Sequence, residues 1–178
     1  MLIYRDEENR FSGKVADFGY SSCVSGDSQA IFVPESWPWN APEHNFVQNV
    51  SGRYEKVQAE KMDMYSAGLI CLWLLFEPYF AGIRPLPQEA QWAQSLFTTS
   101  GKIRPTLRIL ESVKKEKKAA QLASELLQAE LLSRNAPYDE FDEFFWSQVL
   151  AGLLNDNYEE RTMSLIHILQ AAKDALKE

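Results

Sequence analysis

The longest uninterrupted apolar run extends from Ala67 to Phe76 (AGLICLWLLF), ten residues without a charge. Apolar side chains surround any helix drawn through residues 61–76. That segment is therefore predicted as a central helix, with Leu69 to Phe76 buried on all faces. Ten residues are too few to cross a bilayer and suit a buried helix. Pro78, Gly82, Pro85 and Pro87 break the chain after it. Upstream, Leu2-Ile3-Tyr4 and Lys14-Val15-Ala16 are strand-like runs separated by a polar stretch containing Asp6, Asn9 and Gly13, which predicts a β-hairpin. Residues 20–40, rich in Ser, Gly and Pro, read as loop. Downstream the pattern is helical throughout. It predicts helices over Gln88–Thr98, over residues 107–134 (Leu122, Leu126, Leu127, Leu131 and Leu132 at helical spacing), over Phe141–Leu154 and over Thr162–Leu176. The expected fold class is mainly α with a short β-hairpin, in one domain.

Composition adds limits rather than detail. With 178 residues, 46% hydrophobic and 24% charged, the chain can bury a real core and is not of disordered composition. A formal net charge of -7 argues against general nucleic-acid binding. Residues 101–118 run against that balance, with seven Lys/Arg and two Glu. The interleaved Glu111 and Glu116 make the cluster Lys114, Lys115, Lys117, Lys118 read as a solvated helix face, with docking of an acidic partner as the alternative. Cys23 and Cys71 form no CxxC pair, and His44 and His167 complete no metal spacing. Cys71, inside the apolar run, reads as a small core residue. No disulfide framework and no signal-peptide pattern follow Met1, so the expectation is an intracellular, cytoplasmic protein without membrane association.

Four motifs carry candidate chemistry, and their order matters more than any one of them. Asp17-Phe18-Gly19 follows the strand-like run; then come Ala41-Pro42-Glu43, Asp63-Met64-Tyr65-Ser66-Ala67-Gly68, and Arg161 within Asn155-Asp156-Asn157-Tyr158-Glu159-Glu160-Arg161-Thr162. A carboxylate at the end of a strand, followed by a glycine that lets the chain turn, can present a metal ligand. In this order the motifs resemble the activation segment and C-terminal lobe of the eukaryotic protein kinase family.

The resemblance implies a kinase-like C-lobe over residues 1–178, with an activation segment at about 17–43, a central buried helix at about 61–76 and a helical insert at about 100–140. It assigns Mg²⁺ to Asp17, with Phe18 packing beneath it and Gly19 freeing the backbone. It pairs Glu43 with Arg161, which would pin the end of the activation segment to the helical core. It places Asp63 at the opening of the central helix, accepting backbone hydrogen bonds from the catalytic loop, with Ile70 and Leu74 at the base of the adenine-supporting stack, for which a plain core role is an equal alternative. Tyr65 stands where the pattern usually has Trp. Ser36, seven residues before Glu43, leans toward Ser/Thr rather than Tyr specificity. Ser21, Ser22, Ser25 and Ser28 are candidate phosphorylation sites on the activation loop.

The same resemblance defines what is missing. The sequence holds no Gly-rich loop, no strand lysine paired to a helix glutamate, and no His-Arg-Asp loop with its Asn. Those groups supply nearly all the positioning and charge stabilisation of phosphoryl transfer. The family activity is transfer of the ATP γ-phosphate to protein Ser/Thr hydroxyls. This chain alone is expected to be inactive, with no catalytic or cofactor-binding residue assigned and neither ATP nor Mg²⁺ bound tightly. The alternative is a non-catalytic, pseudokinase-like module that binds a protein partner.

Overall fold

A computed structural model describes residues 2–5, 11–14, 30–44, 51–99, 105–133, 147–161, 166 and 170. The architecture is mainly α, with two small antiparallel sheets of two strands each. Strand β1 (Leu2–Arg5) pairs with β2 (Phe11–Lys14) in the register Leu2↔Lys14 to Arg5↔Phe11, which gives the expected hairpin. Its second strand lies earlier than predicted, and Gly13 sits within the strand opposite Ile3 rather than in the turn. Val15, Ala16 and the motif Asp17-Phe18-Gly19 lie outside the described residues, as do Cys23 and the serines at 21, 22, 25 and 28. Inside the expected loop, β3 (Ile31–Phe32) pairs with β4 (Arg53–Tyr54). Val33 N–H extends the pairing to the Gly52 carbonyl at 2.9 Å.

The central helix α1 runs Lys56–Leu75, five residues longer at its N-terminus than the apolar pattern indicates. Lys56, Gln58 and Glu60 are good helix formers whose polarity disguised them as linker. The helix stops where Pro78 restricts the chain, and Phe76 N–H closes it on the Leu72 carbonyl before the short α2 (Glu77–Phe80). A 3-10 turn over Gln88–Ala93 leads directly into α3 (Gln94–Thr99).

The single helix expected over 107–134 is two helices, α4 (Pro105–Lys115) and α5 (Ala119–Ser133). The break is a Schellman closure without glycine. Lys117 N–H reaches the Lys114 carbonyl and Lys118 N–H the Val113 carbonyl, each at 3.0 Å, with Lys117 at φ 57°. Leucine spacing continues across the break, so periodicity could not reveal it. Of the segment predicted as Phe141–Leu154, residues 147–154 are described and open with a π-helical turn, Ser147–Ala151. Of Thr162–Leu176, only Ile166 and Gln170 are described, both helical. No helix among the described residues is long and apolar enough to cross a membrane.

Helix α1 is the hub of the core. Met62, Tyr65, Leu69, Leu72 and Phe76 join Ile109, Leu110 and Val113 of α4, Leu122 and Leu126 of α5, and Leu150 and Leu154 in one buried cluster. Val149 and Leu153 close over Met64 and Cys71 on an adjacent face of α1. The expectation of burial on all sides fails, however. Ile70 is 42% and Leu74 61% exposed, and Leu75 is also exposed. Hydrophobicity alone required cover on every face; the described elements pack against only part of the circumference.

Close approach depends on Gly68. A Cβ there would stand 2.9 Å from Leu153 Cβ and 3.0 Å from Leu154 side-chain carbons. Leu153 Cβ is fixed to the backbone, so the neighbouring segment must move. Overpacking of this kind costs about 1–3 kcal/mol, and the helix-propensity gain of alanine offsets about 1 kcal/mol of it. Gly68→Ala is expected to be net destabilising by about 1 kcal/mol, read from the urea unfolding midpoint at unchanged slope.

Candidate functional site: the Glu43–Arg161 clamp

The segment 33–44 has little regular structure, yet side chains from three other parts of the chain hold it. Its own backbone turns twice, through Trp39 N–H to the Ser36 carbonyl at 2.7 Å and His44 N–H to the Ala41 carbonyl at 3.0 Å. Asn40 Oδ1 accepts from Ser36 N–H, and His44 Nε2 lies 3.0 Å from the Val33 carbonyl. From α1, Ser66 Oγ donates to the Trp39 carbonyl at 2.8 Å, and the Trp39 and Trp73 rings pack with centroids 5.8 Å apart. From α4, Lys114 Nζ donates to the Pro38 carbonyl at 2.9 Å.

The third anchor is Arg161. Its guanidinium holds Glu43 through both arms, Nη1 to Oε1 at 2.5 Å and Nη2 to Oε2 at 3.2 Å. Nη1 also donates to the Lys61 carbonyl and Nε to the Asn155 carbonyl, each at 2.9 Å. The group stacks over Tyr65, 4.7 Å from the ring centroid. Arg161 is 2% exposed. A buried cation is tolerable only when its donors are used and its charge is met; this one uses four of its five N–H donors and has its charge met by Glu43. The fork geometry explains why arginine rather than lysine stands here.

Sequence reasoning identified Glu43 and Arg161 and brings them together correctly. It missed the rest of the cluster. Lys61 is buried and donates its amine to the Glu159 carbonyl at 2.6 Å, tying α1 to the turn before Arg161. Lys114, read as solvated, is only 8% exposed. Its amine forms an ion pair with Glu111 Oε2 at 2.7 Å. Lys115 also pairs with Glu111, while Lys118 pairs with Glu116 and stands over the Trp92 ring at 4.6 Å. Of the four lysines only Lys114 is buried; Lys115 and Lys117 are exposed and Lys118 is half-buried, as a solvated face requires. No periodicity distinguishes a lysine that turns inward from one that does not.

The remaining expected site residues fare differently. Asp63 does not open the central helix; it lies in its second turn, on an exposed flank. The helix extends further upstream than the family pattern suggested. Partial desolvation, reinforced by Glu60, raises its carboxyl above the usual range. Ser36 is exposed, and its hydroxyl makes no hydrogen bond among the described residues. Asp17, Phe18 and Gly19 lie outside the described residues. Cys71 is a half-buried free thiol whose pKa is raised by burial, so it is not an activated nucleophile. Among the described residues no three His, Cys, Asp or Glu side chains gather as metal ligands. The arrangement is mechanical: it fixes one irregular segment on a helical base.

Comparison with known proteins found no match: no family model, no curated protein and no solved structure is similar to this chain.

Removing one member of the clamp leaves the other buried and uncompensated, which costs about 3–5 kcal/mol. Arg161→Met and Glu43→Gln are each expected to destabilise the fold by that order, whereas the double variant loses less than the sum of the two. Urea denaturation in a double-mutant cycle measures the coupling.

Asp156 gives a pH prediction of known sign. Burial raises its carboxyl above the ordinary value and Glu43 adds to the effect, while Lys117 and Arg161 oppose it; its Oδ1 is buried without a hydrogen bond from the described residues. The folded state therefore binds this proton more readily than the unfolded state. The associated stability is present below the unfolded value of about 3.9 and lost as pH rises through the raised folded value. Asp156→Asn should remove that loss, so its unfolding midpoint exceeds that of the parent at pH 7 and approaches it near pH 4.

Proposed function

We propose that this chain is the C-terminal-lobe portion of a protein-kinase-like domain, extending from the activation segment onward. The family activity is transfer of the ATP γ-phosphate to Ser/Thr hydroxyls of a protein substrate, and the chain by itself does not carry it out. The observation that supports the reading is the clamp. Two residues 118 positions apart, chosen from their motif contexts alone, form a bidentate, buried ion pair at the base of an irregular segment. The exposed Ser36 hydroxyl lies on that segment, consistent with Ser/Thr rather than Tyr direction.

Bound Mg²⁺ would neutralise charge developing on the phosphates. The resemblance assigns it one carboxylate, that of Asp17. Mg²⁺ keeps several waters and relies on substrate phosphates as ligands, so the residues of this chain do not fit a tight Mg²⁺-ATP site. Phosphoryl transfer also depends on a base and a phosphate-binding lysine from upstream segments.

A second reading, a non-catalytic interaction module in an intracellular, cytoplasmic setting, draws on the open flank of α1, where Ile70 and Leu74 are exposed side by side.

Titration calorimetry with Mg²⁺-ATP, alongside light scattering, tests the proposal. No nucleotide binding is expected. Tight binding by a monodisperse monomer overturns it. No binding with a soluble monomer favours the module, and no binding with aggregation favours a portion of a larger kinase. Sequencing the transcript upstream of the Met1 codon separates the two readings independently, because an in-frame His-Arg-Asp loop followed by Asn supports the kinase portion and an in-frame stop codon supports the module.

A further inference from the structure

The outer stripe of α1 has a composition that solvent exposure does not explain. Asp63, Ala67, Ile70 and Leu74 follow one another at i, i+4, i+7 and i+11 and so share one face of the helix. Ala67 is half-buried, Ile70 and Leu74 are exposed, and no charge occurs anywhere from Ala67 to Phe76. Both shoulders of this stripe are apolar. On one side Trp73, half-buried, packs against Trp39; on the other, Met64 and Cys71 pack beneath Val149 and Leu153. The stripe is therefore flanked on both sides by packed apolar residues rather than standing on an isolated surface helix.

One end of the stripe is acidic. Glu60 and Asp63 lie one turn apart, and neither makes a hydrogen bond or ion pair with a described residue. The repulsion of Glu60 contributes to the raised Asp63 carboxyl. Lys56, further along the same face, is already engaged elsewhere. A cation brought to Asp63 would meet two carboxylates whose charge is otherwise answered only by solvent.

We infer that this face of α1 is a docking groove for an amphipathic helix of a separate protein, with apolar side chains on Ile70 and Leu74 and a lysine or arginine reaching Asp63 and Glu60. The inference rests on the interaction-module reading. Charge complementarity selects the occupant. An antiparallel two-fold pairing of α1 with a second copy sets Asp63 against Leu74, and a parallel pairing sets Asp63 beside Asp63; both leave carboxylates unanswered. An anionic lipid surface or nucleic acid would be repelled by the same pair. At 1.5 Å rise per residue, Asp63 and Ile70 are about 10 Å apart along the axis, so the basic residue of the partner stands about seven positions from one apolar anchor and about eleven from the other.

The test is a phage-displayed library of 20-residue helical peptides selected on the full 178-residue chain, with counter-selection on Leu74→Glu. Leu74 and Asp63 are exposed, so both variants should fold, which circular dichroism checks. Enriched peptides should carry Lys or Arg at the stated spacing from two apolar residues. Their binding, read by fluorescence anisotropy, should fall at least tenfold with Leu74→Glu and with Asp63→Arg, and return in the Asp63→Arg chain when the basic residue of the peptide becomes Glu. No enrichment, enrichment without the basic residue, or binding indifferent to both variants overturns the inference. So does a concentration-dependent dimer in sedimentation equilibrium that Leu74→Glu abolishes, because the occupant is then a second copy. Mg²⁺-ATP binding by the same preparation would instead defeat the module reading on which the groove rests, and the two failures are read in separate assays.

Discussion

A guanidinium taken out of water must find acceptors for its donors and an anion for its charge, or the fold that buries it is lost. Arg161 meets that demand by drawing on three separate parts of the chain. Glu43 supplies the carboxylate, the α1 carbonyl of Lys61 and the carbonyl of Asn155 supply further acceptors, and the Tyr65 ring covers one face. Each of these partners is thereby fixed in position. The irregular segment carrying Glu43, the first half of α1 and the turn before Arg161 become one unit because a single desolvated cation requires it.

The other anchors repeat the same logic in weaker form. Lys61 and Lys114 each turn an ammonium onto a backbone carbonyl of a segment outside the helical core, Glu159 in one case and Pro38 in the other. Irregular backbone lacks ladder partners, so its carbonyls need side-chain donors where water is excluded. The segment 33–44 is therefore held in place by cations from the helical core and by the Trp39–Trp73 contact, rather than by secondary structure of its own. A loop supported in this way can present side chains such as Ser36 and Trp37 in a set arrangement while both remain exposed.

Helix α1 serves two neighbourhoods with different physics. One side lies in a dense core, close enough at Gly68 that even a methyl group does not fit. The opposite flank carries hydrophobic side chains into solvent. Ordinary surfaces contain scattered apolar residues, so a single exposed leucine would mean little. The aligned pair Ile70 and Leu74 between two apolar shoulders is different, and the described fold supplies no packing reason for it.

Much of this was legible in the chain itself. The charge-free run from Ala67 to Phe76 required a helix at the centre. Two strand-like runs around a polar stretch near the N-terminus indicated a hairpin, and the contexts of Glu43 and Arg161 were distinctive enough to pair them across 118 positions. These are features that local composition or a motif carries. What tertiary structure decided were features with no local signature. Lysine side chains at 61 and 114 face inward because carbonyls await them there, although their neighbours in sequence look solvated. The α4–α5 break falls where Lys117 adopts a left-handed conformation that leucine spacing does not register. The open face of α1 depends on which elements arrive to cover it. Hydrophobicity states that a side chain favours burial, but only the packing of distant segments determines whether anything lies against it.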